Sequence, residues 1–187
     1  MNAATMILRK EHDAILRMLD VTEEVARQLD ARRPIAPEKL FELLEFFRLF
    51  ADRCHHGKEE DLLFPLLERK GLPRAGGPVG VMLYEHEEGR ALVREMIEAA
   101  EAFRGGAAEA GGHWAAAARQ YAALLRDHIA KENNILFVMA ESLLTPAEQD
   151  EMAAAFEKVE KEKMGTGTHE RLHALMDKLA TEILHTV

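Results

Sequence analysis

One phrase occurs twice in this chain, and it restricts the fold more than any other feature. His55-His56-Gly57-Lys58-Glu59-Glu60-Asp61-Leu62-Leu63-Phe64 and His128-Ile129-Ala130-Lys131-Glu132-Asn133-Asn134-Ile135-Leu136-Phe137 both read H-x-x-K-E-x-x-[LI]-L-F. Residues four apart lie on one helix face. Each copy therefore directs one imidazole and one carboxylate the same way, out of an apolar run. Burying such groups is costly unless something binds them. The pattern points to a helical assembly, and the question it raises is what binds those groups.

The periodicity around the phrases predicts four long helices. The first runs from about 4 to 30, with Leu8, His12, Ile15, Leu19, Thr22, Ala26 and Leu29 as its stripe. The second runs from about 37 to 69, with Leu40, Leu44, Phe47, Ala51, His55, Glu59, Leu62 and Leu66; Pro65 is expected to kink it near its end. The third spans about 79–103 on Val79, Met82, His86, Gly89, Val93, Met96 and Ala100. The fourth spans about 113–143 on Trp114, Tyr121, Leu125, His128, Glu132, Ile135 and Met139. Thr145-Pro146-Ala147-Glu148 is a helix start, with Thr as cap and Pro at the first position. A fifth helix runs from there to about 163, and Gly165-Thr166-Gly167-Thr168 caps a sixth to about 184. β-branched residues are scarce, which disfavours a large sheet. Short connections make neighbouring helices antiparallel. The expected fold is all-α: an up-down-up-down four-helix bundle over residues 1–143, with a C-terminal helical extension, 144–187, packed on it.

The formal net charge of −9 argues against nucleic acid and anionic membrane as partners. No run approaches the length of a membrane span. The start of the chain leads into a charged helix rather than an apolar signal segment. Cys54 is the single cysteine, which precludes an internal disulfide and reads as a small buried residue. A cytoplasmic protein is the expectation.

Each long helix carries a histidine on its apolar stripe: His12, His55, His86 and His128. Glu59 and Glu132 add carboxylates. Without a common partner these buried groups would each cost roughly 1–3 kcal/mol. Bundle cores are where inward-facing Glu and His from facing helices hold metal ions. Imidazole and carboxylate without a thiolate cluster suit Fe, Mn or Zn, and structural zinc favours four ligands, often cysteine. The stripe puts His55 rather than His56 in register. His56, turned by about 100°, either reaches a second metal or sits beside the site. Glu60, Asp61, Asp127, Lys58 and Lys131 are expected to face water. Tyr121, two turns before His128, is expected to pack, the alternative being that its hydroxyl reaches the pocket.

The set Glu11-His12, His55-x-x-x-Glu59 followed by Leu-Leu-Phe-Pro, Glu85-His86 and His128-x-x-x-Glu132 resembles the hemerythrin-like (HHE) cation-binding family. That resemblance implies a four-helix bundle around a non-haem di-iron centre. It makes Glu59 and Glu132 bridging carboxylates, and His12, His55, His86 and His128 terminal ligands. It also implies a small diatomic ligand or peroxide as partner. The chain departs from the oxygen carriers at Arg90, where they have a second histidine, and at Glu132, where they have an aspartate one residue later. Reversible O2 transport is therefore not expected, and His56 is a candidate for the vacant ligand position.

Two other functions compete. His169-Glu170-Arg171-Leu172-His173 matches H-E-x-x-H, the signature of a zinc hydrolase, although the match sits at a helix start with only His185 after it. A metal-free helical interaction module is the third alternative.

Overall fold

The computed structural model describes residues 3–107, 109–165 and 167–184, which form six helices and no strand. They are α1 (Ala3–Asp30), α2 (residues 37–69), α3 (Pro78–Arg104), α4 (residues 110–143), α5 (Pro146–Met164) and α6 (Thr168–Leu184). α4 packs along both α1 and α3, and α2 packs between α1 and α3 on the other side. α5 and α6 lie against α1 and α2. None of the described helices is long and apolar enough to cross a membrane.

Helix boundaries reflect local chemistry. Pro37, Pro78 and Pro146 open their helices at a position where the missing N–H costs nothing. Thr145 and Glu148 cap each other's backbone amides, as the sequence predicts. Gly165 and Gly167 link α5 to α6 with φ of 80° and 82°, which residues with a Cβ rarely adopt. Thr166 and His185 lie outside the described residues.

The apolar core is split in two. One cluster holds Ile15, Leu19, Phe46, Phe47, Trp114 and Leu125 with Leu172 and Leu179 of α6. The other holds Leu8, Leu63, Phe64, Val79, Leu136 and Phe137 with Met152 and Phe156 of α5. Between them lies a buried polar layer drawn from α1, α2, α3 and α4.

Two long helices depart from regular α geometry at that layer. α2 is π-helical over Phe47–His56 and again over Glu59–Leu63, and α4 over Glu132–Leu136. A π turn takes up one extra residue and rotates the rest of the helix about its axis. The expected stripes consequently fail beyond both glutamates. Leu62 and Leu66 are only half-buried, whereas Leu63 and Leu67 are in the core. Ile135 is 52% exposed and Met139 half-buried, whereas Leu136 and Ala140 are buried. Pro65 sits inside the continuing helix, just past the second π segment, whose wider turn precedes the proline ring.

Candidate metal centre

All seven residues singled out from the sequence meet in the polar layer, and none is more than 4% exposed. They form two groups that share Glu59. His12, His55, Glu59 and Glu132 make one, and His56, Glu59, His86 and His128 the other; within each, one donor atom per residue lies within 4.8 Å of the rest. Glu132 also reaches across: its Oε2 is 3.1 Å from His12 Nε2 and 3.3 Å from His128 Nε2. Glu59 Oε2 stands 3.7 Å from His55 Nε2 and 3.5 Å from His86 Nε2. Each carboxylate thus lies between one histidine of either group. His56 stacks on His86, ring centroids 3.8 Å apart.

The outer nitrogens fix which way the rings face. Nδ1 of His12 is 2.9 Å from Asn133 Oδ1, that of His55 2.9 Å from Glu11 Oε2, that of His86 2.7 Å from Glu60 Oε1, and that of His128 2.9 Å from Glu85 Oε2. Each ring therefore donates outward from Nδ1 and turns its Nε2 lone pair inward. Lone pairs then meet: His12 and His55 Nε2 are 2.9 Å apart, and His86 and His128 Nε2 3.2 Å. Two such acceptors are stable that close only around a shared positive charge. Two ligands roughly 2.1 Å from one ion and at right angles would be about 3 Å apart. All four oxygens of Glu59 and Glu132, and both ring nitrogens of His56, are buried without a hydrogen bond. The donor set fits metal ions, with imidazole and carboxylate and no thiolate.

Helical periodicity does not assign Glu11, Glu60, Glu85 and Asn133 to the support of this layer. Two of them directly precede a stripe histidine, in Glu11-His12 and Glu85-His86. The other two come directly after a stripe glutamate, in Glu59-Glu60 and Glu132-Asn133. Adjacency to those stripe residues is the available signal, and Glu11-His12 and Glu85-His86 already belong to the set that carries the family resemblance.

Two expectations about charges are overturned. Lys58 is completely buried, donating to Glu11 and, at 3.2 Å, to Glu160 of α5. The sequence places it in water because its partners lie on other helices. Glu60, also expected in water, is half-buried between His86 and the Arg90 guanidinium. Lys131 matches Lys58 in the repeat and donates to Glu85, but is 37% exposed. Arg90 also holds Asp52, which lies 3.6 Å from His56 Nδ1. Asp61 and Asp127 are exposed, as expected.

The electrostatics suit cation binding. Burial pushes Glu59 well above the usual carboxylate range, and the neighbouring Glu132 charge adds to this. Burial acts the same way on Glu132, but His128, His12 and His55 outweigh it and hold that carboxyl low. Burial drives His55 down to about 4 and His56 well below its ordinary value, with neighbouring imidazoles contributing. Neutral imidazoles are the form that binds metal. Burial raises the Glu11 value, but the His55 hydrogen bond and Lys58 more than offset it, so the carboxylate stays ionised. Cys54 is buried, and its thiol is pushed up to about 11 by burial.

A cavity of about 180 Å³ lies among α2, α3 and α4. Phe47, Val93, Ile97 and Tyr121 give it apolar walls, Arg48, Arg90 and Arg94 polar ones, and it reaches His56 and His86. Tyr121 is buried and packs edge-on against Phe47, and burial raises its hydroxyl value, so it stays protonated. In the H-E-x-x-H phrase, His169 and His173 lie side by side, while Glu170 is exposed.

A family model described as the hemerythrin HHE cation binding domain matches residues 4–140. A protein of uncharacterized function from Mycobacterium tuberculosis is 26% identical over 173 residues, covering 92% of this chain and 66% of that one; its Mycobacterium bovis counterpart matches equally. The iron-sulfur cluster repair protein DnrN of Neisseria gonorrhoeae is 37% identical over 86 residues, covering 44% of this chain and 54% of that protein. The chain spans a little under two thirds of the mycobacterial relatives and about half of the Neisseria protein.

Proposed function

The chain belongs to the hemerythrin HHE cation-binding domain family, and from that premise we propose that it is a non-haem di-iron protein that binds a small ligand such as O2, NO or peroxide. The observation that carries this is the set of four oxygens on Glu59 and Glu132, buried without a hydrogen bond between two groups of inward-facing Nε2 atoms. Glu59 and Glu132 would bridge, with His12 and His55 on one ion and His56, His86 and His128 on the other. Two such ions would supply redox-active Lewis-acid chemistry toward the ligand.

The protein's own part is positioning. Outer carboxylates and Asn133 hold the rings, and Lys58, Lys131 and Arg90 hold those carboxylates in turn. The ligand would enter through the cavity that reaches His56 and His86, so the two ions would be unequal. The four long helices would run up-down-up-down, with α5 and α6 as an extension closing one side. The Neisseria relative is an iron-sulfur cluster repair protein, which fits an iron-binding role for this chain.

Elemental analysis with visible spectroscopy tests this. Protein loaded anaerobically with Fe2+ is expected to hold about two irons per chain and to change its visible absorption on exposure to O2 or NO. Glu59→Gln and Glu132→Gln are each expected to lower the iron content. Failure of the wild-type chain to take up iron would overturn the proposal.

A further inference from the structure

α5 and α6 lie beyond the residues matched by the family model, yet α6 carries the H-E-x-x-H phrase. His169 and His173 are four apart on one face of α6, with ring centroids 4.5 Å apart. Both rings rest on Phe50 of α2, at 5.5 and 5.4 Å, which limits their freedom. Facing them from α5, Glu160 places Oε1 3.6 Å from His169 Nδ1. Glu160, His169 and the buried Glu11 each offer a donor atom within 4.8 Å of the others. A groove of about 370 Å³ opens over this corner, and the side chains of Glu160 and His169 are each 29% exposed.

The charges there are unevenly spent. Lys58 donates to Glu11 and to Glu160 Oε2, and Glu11 also holds His55. Glu11 is therefore committed to the bundle core. Glu160, His169 and His173 line the groove, and the His173 ring, outside the 4.8 Å group, has to turn about its side-chain bonds to join the other two. We propose that Glu160, His169 and His173 form a second site for one divalent first-row cation such as Zn2+ or Co2+, at the seam where α5 and α6 meet α2. Two imidazoles one helical turn apart and a carboxylate make a three-ligand set for such ions, leaving water to complete the sphere. This site shares none of the core centre's seven residues and stands on two helices outside the matched region, and it is joined to that centre through Lys58, which donates to Glu160.

The test is a Zn2+ titration by calorimetry on full-length protein carrying its core metal and freed of loosely held ions on a chelating resin. The H169Q/H173Q double variant and Glu160→Gln are run alongside, with core metal content measured first in each. Glutamine keeps the side chains near their size, and circular dichroism checks that α6 persists. Wild type is expected to take up one more Zn2+ per chain than H169Q/H173Q, and Glu160→Gln to bind that ion roughly tenfold more weakly or worse. Core metal content is expected to be the same in wild type and H169Q/H173Q, whereas Glu160→Gln also removes a partner of Lys58 and is read at its own measured core content. Equal uptake by wild type and H169Q/H173Q overturns the proposal, and so does undiminished binding by Glu160→Gln. The comparison between variants reads this site whether or not the core holds iron.

Discussion

Lys58 and Lys131 stand at the same place in the repeat, and each donates to the glutamate that orients a histidine. Lys58 is fully buried, whereas Lys131 is 37% exposed. Removing one partner of a buried ion pair costs about 3–5 kcal/mol, because the other charge is stranded. An exposed pair contributes under about 1 kcal/mol. Lys58→Met is therefore expected to destabilise by about 3 kcal/mol or more and to weaken metal binding about 10- to 100-fold through Glu11 and His55. Lys131→Met should cost under about 1 kcal/mol in urea unfolding. Equal losses for the two would refute the assignment. A pH effect also belongs at this scale. In metal-free protein, burial holds His55 down to about 4, against about 6.5 when unfolded. The unfolded chain then binds more protons between those values, so this group's stabilisation is complete above about pH 6.5 and is lost towards pH 4. The loss is on the order of 3 kcal/mol. Glu59 works oppositely, since its folded-state value is raised and the fold gains as pH falls through it. The measurement therefore uses metal-free Glu59→Gln, unfolded in urea at pH 7 and pH 4.5; equal stability at the two would contradict the prediction.

At the scale of the helix, the stripes are legible up to Glu59 and Glu132 and misleading after them. Leu8 through Leu29 on α1 are core as the 3.6-residue period demands, and His86 and His128 obey the same rule. The π turns are hidden, because Glu59–Leu63 and Glu132–Leu136 contain nothing that local propensity distinguishes from α-helix. What selects them is tertiary: each glutamate and the apolar residues beyond it face inward at once, and that needs one residue more than an α turn provides. The same blindness affects Lys58 and Glu60, whose burial depends on Glu11, Glu160, His86 and Arg90 from other helices. The register shift gives a sharp expectation. Ile135→Ala, at an exposed position, should change stability by no more than about 0.5 kcal/mol. Leu136→Ala, at a buried one, should cost about 2–5 kcal/mol. The stripe drawn from the sequence, which carries Ile135 and Met139 and leaves out Leu136, would rank them the other way, and thermal unfolding of the two variants checks it.

For the whole molecule, the two repeats give the centre approximate symmetry, and the rest of the chain breaks it. Where the first copy has His56, the second has the buried Ile129, so one side of the centre has an extra imidazole and the cavity beside it. The C-terminal helices add to the asymmetry. Glu160 of α5 supports Lys58, and no described residue of α5 or α6 donates to or accepts from Lys131. Sequence periodicity can place α5 and α6 as helices, but not show that they complete the core. Met152 and Phe156 enter one apolar cluster; Leu172, Met176, Leu179 and Ile183 enter the other. At about 1.5–3 kcal/mol per buried side chain, these six contribute on the order of 10 kcal/mol before the chain entropy of ordering two helices is subtracted. A whole domain is stable by only about 5–15 kcal/mol. A chain ending at residue 143 retains every residue of the proposed di-iron site and still is expected to lose cooperative unfolding, because both apolar clusters open and Lys58 loses Glu160. Calorimetric scans of the full chain and the truncated one, each metal-free, measure this. A truncated chain melting cooperatively within a few degrees of the full one would show that the bundle stands alone and that α5 and α6 only rest on it.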